Sequence, residues 1–301
     1  MVELEGSIVF KYRYQRLALA THPELRPTRL RSKPSVRYFC ETGHAGVDRP
    51  AEAAVPDRAA GTNFLPGTDV EIAELDAARS ARLLNCRQGD RPFRLSARVV
   101  LMATGLSGEP IRSETKLRCH QSSHARIGLQ TFTTNNQQIL QPGTIYMAVG
   151  RHGYVGLTVV EEERLNVAAA VDVAAVRESN AEAVCRQILI ESGLPLAETL
   201  LDRTDWQGTV GLTRQRGHRA AERVFVIGDA AGYVEPFTGE GMASAIRGGQ
   251  AVCPFVEKAL HDWEPQLIEQ WNRTSKRLVA PRETRSVADG PNALESLPDC
   301  P

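Results

Sequence analysis

The 301-residue sequence predicts an α/β core joined to an antiparallel sheet, α+β overall, and three stretches carry that expectation. Val224-Phe-Val-Ile-Gly-Asp229 reads as a buried strand closed by Gly-Asp. A Gly-rich turn follows it, and Ala243, Ala245 and Ile246 then open a helical pattern. Arg94-Leu-Ser-Ala-Arg-Val-Val-Leu-Met-Ala103-Thr-Gly105 reads as a second strand running into a glycine turn. Residues 126–172 hold four β-rich runs joined by short polar connections, the pattern of an antiparallel meander.

Each element can be justified in order. Residues 1–63 are expected to be irregular. Only Ser7-Ile-Val-Phe-Lys-Tyr-Arg-Tyr has strand character, and residues 22–34 are Pro- and Arg-rich without apolar periodicity. Asp69-Val-Glu-Ile-Ala-Glu-Leu75 alternates and predicts a half-buried strand, with Ala81–Cys86 placed to pair with it. Gln88–Pro92 then turns, and the strand ending in Ala-Thr-Gly closes that meander. In the next sheet the strands fall at Gly128–Thr134, Gly143–Gly150, Gly153–Val160 and Arg164–Val171. Ser179-Asn-Ala-Glu182 predicts a capping box. Ala181, Val184, Cys185, Ile188 and Leu189 follow at helical spacing as a core stripe, and Gly193 with Pro195 stops that helix. A helix from Gly241 to His261, bent by Pro254, and another over 263–280 lead into a polar tail, 281–301.

Composition excludes several classes. Lys+Arg and Asp+Glu both number 36, so no net field steers the chain to nucleic acid or an anionic membrane. The cluster Arg26, Arg29, Arg31, Lys33 and Arg37 has the charge of an RNA-binding arm but no interleaved aromatics. Six cysteines show no Cys-x-x-Cys pairing, so no metal site is expected, and reduced thiols in a cytoplasmic protein are. Met1-Val-Glu-Leu-Glu lacks the basic start of a signal peptide, and no apolar run is long enough to span a bilayer.

The candidate site lies at the strand ends. Ligands of open α/β sheets bind where strands end and helices begin. A carboxylate at Asp229 could accept hydrogen bonds from a sugar or polyol hydroxyl, or simply cap the helix that follows.

The run Gly228-Asp229-Ala-Ala-Gly, then Pro236-Phe-Thr-Gly239-Glu-Gly241-Met242, resembles the second FAD motif of the aromatic-hydroxylase-like flavoproteins. That superfamily includes geranylgeranyl reductases and flavin-dependent halogenases. The resemblance implies that Asp229, with Gly228, binds ribityl or ribose hydroxyls. It also sets Pro236, Gly239 and Gly241 against the isoalloxazine, with the helix that begins around Met242 aiming its positive end at the N1–C2=O edge. Ala103-Thr104-Gly105 resembles the motif passing the FAD pyrophosphate and adenosine end.

The family's opening βαβ unit, with Gly-x-Gly-x-x-Gly, has no counterpart in residues 1–63. The resemblance therefore implies an incomplete FAD-binding Rossmann-like domain, 64–112 and 209–280, around an antiparallel substrate domain, 113–208. Truncation of the coding sequence or divergence would both produce this.

Expected chemistry is FAD-dependent oxidation or double-bond reduction of a small-molecule or lipid-like substrate, with NAD(P)H as reductant. The competing expectation is a non-catalytic remnant that keeps the second half of the fold. Geranylgeranyl reductases show Gly-Tyr-x-Trp-x-Phe-Pro and then Asn-Val-Gly. Tyr154 and Asn166 agree with that pattern, whereas Gly156 replaces the Trp, Thr158 the Phe, and no Pro follows. The halogenases' Trp-x-Trp is also missing. Tyr154 could equally be sheet packing. His152 and His218 are the acid–base candidates by residue type, but both are expected to be exposed, so no catalytic residue is named.

Overall fold

The computed structural model describes residues 9–13, 37–40, 63–106, 115–134, 140, 144–160, 164–193, 205–235 and 241–288. Its strands begin with β1 (Val9–Arg13), β2 (Arg37–Cys40), β3 (Asn63–Pro66), β4 (Thr68–Leu75), β5 (Arg82–Gln88), β6 (Arg91–Ala97), β7 (Val100–Met102) and β8 (Cys119–Gln121). Then come β9 (Ile127–Thr134), β10 (Thr144–Gly150), β11 (Gly153–Val159), β12 (Arg164–Val171), β13 (Gln207–Gly211), β14 (Arg214–Arg216), β15 (Ala220–Ala221) and β16 (Val224–Val226). The helices are α1 (Val173–Glu178), α2 (Ala181–Glu191), α3 (Gly241–His261) and α4 (Gln266–Ala288). Helices and mostly antiparallel sheets make this an α+β fold, gathered into two compact units.

One unit holds β1, β9 to β13, α1 and α2. Its antiparallel sheet has the order β1-β10-β11-β12-β9-β13. The four expected strands are present, but not as a simple meander. β9 pairs with β12 along its whole length, Ile127 against Val171 through Thr134 against Arg164, and β1 takes the outer edge of β10. Local alternation specifies which face of a strand is buried, not which neighbour it finds. Val155, Leu157, Leu165 and Val167 project to one face, where Val184, Cys185, Ile188 and Leu189 of α2 cover them.

The cap shifts by one residue, and the expected capping box does not form, because Ala183 then stands at the third helical position. Asn180, not Ser179, caps α2, its side chain accepting from the Ala183 N–H at 2.8 Å. Ser179 instead ends the short helix α1, donating its hydroxyl to the Ala175 carbonyl at 3.0 Å. Gly193, with φ +70°, follows α2 in the left-handed conformation common after helix ends.

Burial pushes the Cys185 thiol up to about 12 from an ordinary 9.0. A thiol that stays protonated when folded but ionises when unfolded stabilises fully below pH 9 and loses that contribution as pH rises toward 12. Unfolding free energies of Cys185→Ala from urea titration should accordingly fall less steeply with alkaline pH than those of the parent, by at most about 1.4 kcal/mol per pH unit. Peptide mapping after thiol labelling should find Cys253, which is exposed, modified in the native protein and Cys185 modified only on unfolding.

The second unit contains the remaining elements. β4, β5 and β6 form the expected meander, from Thr68 against Gln88 to Arg82 against Ala97. The strand predicted to run on from Arg94 to Met102 is broken. After Ala97 the chain leaves the meander, and the Val100 N–H donates to the Arg223 carbonyl at 2.8 Å. The Arg223 side chain bonds the Arg98 carbonyl at 3.1 Å, fixing the step. β7 thereby joins a different sheet, ordered β15-β16-β7. Val224 and Val226 pack with Ile72, Leu84 and Met102 on one side of it, and Phe225 with Val252, Leu267 and Trp271 on the other.

The chain ends add detail to the expectations. β1 falls where residues 7–14 have strand character, and β2 is a further strand that pairs in parallel with β3. The expected tail begins inside α4, which runs through Ala288. No described helix is long and apolar enough to cross a membrane.

Candidate functional site

β16 and β7 are parallel neighbours, with Val224 against Val100, Phe225 against Leu101 and Val226 against Met102. The Ile227 N–H donates to the Met102 carbonyl at 3.0 Å, carrying the pairing one residue further. Ala103-Thr104-Gly105 and Gly228-Asp229 therefore leave the sheet side by side, at the carboxyl ends of adjacent parallel strands. Two segments far apart in sequence thus end side by side. Gly105 (φ +66°) and Gly228 (φ +61°) are both left-handed, so each loop turns sharply as its strand ends.

After Gly228 the chain makes one 3₁₀ turn, Gly228–Ala231, and the Gly232 N–H returns to the Asp229 carbonyl at 3.2 Å. The Asp229 side chain is half-buried there. α3 backs the turn closely. A Cβ placed on Gly248 would lie 3.6 Å from the Gly228 nitrogen, and one on Gly228 would lie 3.8 Å from the Ala245 Cβ. The cavity behind the turn, lined by Ile227, Gly228, Ala231, Ser244, Gly248 and Trp271 among others, measures about 20 Å³. That volume is water-sized, so no organic ligand enters there.

From below, Trp271 of α4 donates its indole N–H to the Val226 carbonyl at 3.1 Å. Phe225, Phe255 and Trp271 meet edge to face around it. The last strand residue is thus held from the core, and the turn beyond it is itself partly core, with Ala230 and Ala231 buried.

Three arginines that pattern reading passed over also grip these loops. Arg214 donates to the Leu106 carbonyl, just beyond Thr104-Gly105, and its backbone pairs both ways with Tyr233. Arg216 Nε donates to the Ala230 carbonyl at 2.7 Å, and Arg219 Nε to the Ala231 carbonyl at 2.8 Å. Arg216 and Arg219 are only 3% and 6% exposed. Their signal in the sequence is an Arg-x-Arg-x-x-Arg spacing just upstream of the Gly-Asp strand, which reads on its own as a polar surface loop.

The other expected site residues divide. Gly241 and Met242 are the first two residues of α3, whereas Pro236 and Gly239 lie outside the described residues. His218 is exposed. His152, about a third exposed, lies in the other unit with its Nδ1 3.8 Å from Asp172, which Arg126 also engages at 3.1 Å. Among the described residues no group of three or more His, Cys, Asp or Glu side chains could hold a metal ion.

No family model matches the sequence. Solved structures do match its fold. A myxobacterial chondrochloren halogenase, CndH, a variant of the FAD-dependent halogenases, superposes with a TM-score of 0.63 at 15% identity, over 77% of this chain and 56% of that one. This is the fold of FAD-dependent halogenases and monooxygenases. PqsL, a probable FAD-dependent monooxygenase from Pseudomonas aeruginosa, gives 0.54 at 17% identity, over 75% and 65%. A flavoprotein/dehydrogenase from Cytophaga hutchinsonii gives 0.58 at 15%, over 78% and 57%. The chain therefore spans between about half and two thirds of the length of these three structures.

The donor set fits a flavin dinucleotide in kind. It offers a half-buried carboxylate for hydroxyl groups, two left-handed glycines that let backbone approach, and a long helix, α3, packed on the Gly228 turn at Ala245 and Gly248.

Proposed function

We propose that the chain is an FAD-dependent oxidoreductase of the monooxygenase or double-bond-reductase type, acting on a small organic molecule. The observation that carries this is the parallel adjacency of β7 and β16, which sets Thr104-Gly105 beside Gly228-Asp229. Asp229 would accept hydrogen bonds from the ribityl or ribose hydroxyls. Thr104 and Gly105 would pass the pyrophosphate and adenosine end. Gly241 and Met242 would present the positive end of α3 to the isoalloxazine, with Pro236 and Gly239 ahead of them. Bound there, the flavin would supply the redox chemistry, with NAD(P)H as its reductant.

The antiparallel sheet of the first unit would be the substrate domain. Its face away from α2 alternates with the core residues and carries Tyr154, Gly156, Thr158, Asn166 and Ala168. The Gln130 amide donates to Asn166 Oδ1 at 2.9 Å on that face, which also carries Arg164, stacked over the Phe132 ring. A second reading, a remnant without stable FAD binding, is favoured by the lack of Gly-x-Gly-x-x-Gly in residues 1–63.

The test is Asp229→Ala, made in a chain joined to a βαβ unit carrying Gly-x-Gly-x-x-Gly. FAD affinity should weaken by about 1.5–3 kcal/mol, the range for hydrogen bonds to a charged group. An unchanged dissociation constant with intact circular dichroism would remove Asp229 from the site.

A further inference from the structure

The structure assigns Arg214, Arg216 and Arg219 as a brace of positioning residues that holds the two motif loops in register. The assignment rests on the FAD reading only for what the loops bind. Burying a guanidinium costs several kcal/mol unless hydrogen bonds replace its water, so two arginines almost wholly buried at carbonyl oxygens must be held there by strong local geometry. Each acts on a different point. Arg216 and Arg219 bond the carbonyls of Ala230 and Ala231, the end of the 3₁₀ turn that bears Asp229.

Arg214 reaches the other loop. Its side chain takes the Leu106 carbonyl, while its backbone N–H and C=O pair with Tyr233 at 2.6 and 2.9 Å. One residue thereby ties the exit of the Ala-Thr-Gly loop to the exit of the Gly-Asp loop. α3 also packs on this turn, with Ala245 and Gly248 beside Gly228. The Asp229 carboxylate is then pre-oriented by its backbone, with no need for a ligand to order it.

Amide hydrogen exchange of the full 301-residue chain, alone and with added FAD, tests the brace. Arg216→Met and Arg219→Met should speed exchange across 229–233 tenfold or more, and Arg214→Met, which loses the bond to Leu106 but keeps the backbone pairing with Tyr233, should do so at 103–106. Amides of β11 and β12 should not change, which separates a local loss from unfolding. Arg216→Lys and Arg219→Lys keep a donor within reach and should recover most of the protection; they also keep the test alive if a Met variant fails to fold. FAD titrated against the same chains should bind the Met variants at least tenfold more weakly than the parent. Parent-like exchange in the Met variants, or no recovery with Lys, overturns the brace. Faster exchange with undiminished FAD affinity overturns its positioning role. Asp229→Ala with unchanged FAD affinity overturns the FAD reading instead, and the exchange result then stands by itself.

Discussion

Expressed as residues 1–301, the protein should purify colourless. A dinucleotide site that includes a Gly-x-Gly-x-x-Gly turn presents about two to four backbone N–H groups to the pyrophosphate at a helix N-terminus. At roughly 1.5–3 kcal/mol for each charge-assisted bond, lacking them costs on the order of 3–10 kcal/mol, an upper bound because water replaces part of the interaction. Each 1.4 kcal/mol is about tenfold, so even the low end weakens FAD binding about a hundredfold. On the proposed reading Thr104-Gly105 and Asp229 remain, and they would support weak binding rather than retention through purification. The absorbance spectrum of the purified chain decides the matter. A flavin peak near stoichiometric occupancy would show that residues 1–63 supply a pyrophosphate site without the glycine fingerprint.

The second large effect is structural. Trp271→Ala should destabilise the unit that carries it by about 3–5 kcal/mol, the range for emptying an aromatic site in a core. Trp271 is fully buried, packs edge to face on Phe225 and Phe255, and also satisfies the Val226 carbonyl. The loss should lower the melting temperature by about 6–20 °C. Trp271→Phe keeps a ring but not the N–H, so it should restore most of the packing and leave a deficit of about 1–3 kcal/mol at that carbonyl. A Trp271→Ala variant that melts with the parent would mean that α4 does not support β16.

Much of this fold can be read locally. The strands over 127–171 fall within a residue or two of their expected positions because each alternates cleanly. The core stripe of α2 is where helical spacing puts it. Asn180 and Ser179 are equally good caps, and only the short helix α1 just before them decides between the two. The break between β6 and β7 was not legible, since apolar residues resume straight after Arg98 and the cause, Arg223, lies on a distant hairpin. The same limit applies to the site. Gly228-Asp229 and Thr104-Gly105 each announce a strand end, but their adjacency is a pairing of distant segments that no local pattern encodes. Arg216 and Arg219 were missed for a related reason. A buried arginine looks like a surface one until the carbonyls it bonds are known.

The ribbon formed by β8 and β14 has a consequence for how this chain can change. Cys119 lies against Arg216 and Gln121 against Arg214, and the Ser122 N–H reaches the Thr213 carbonyl at 3.0 Å. The polypeptide therefore departs for residues 124–211 and comes back through one doorway two strands wide. Cargo carried through such a doorway is interchangeable in principle, because its two ends already sit a hydrogen bond apart. A lineage could lengthen, replace or delete that cargo while Thr104-Gly105 and Gly228-Asp229 keep their places. Shuffling libraries cut at 122 and 213 would exploit the same freedom for the five strands carried there, and the replacement must still offer an edge to β1, which joins that sheet from outside the cargo.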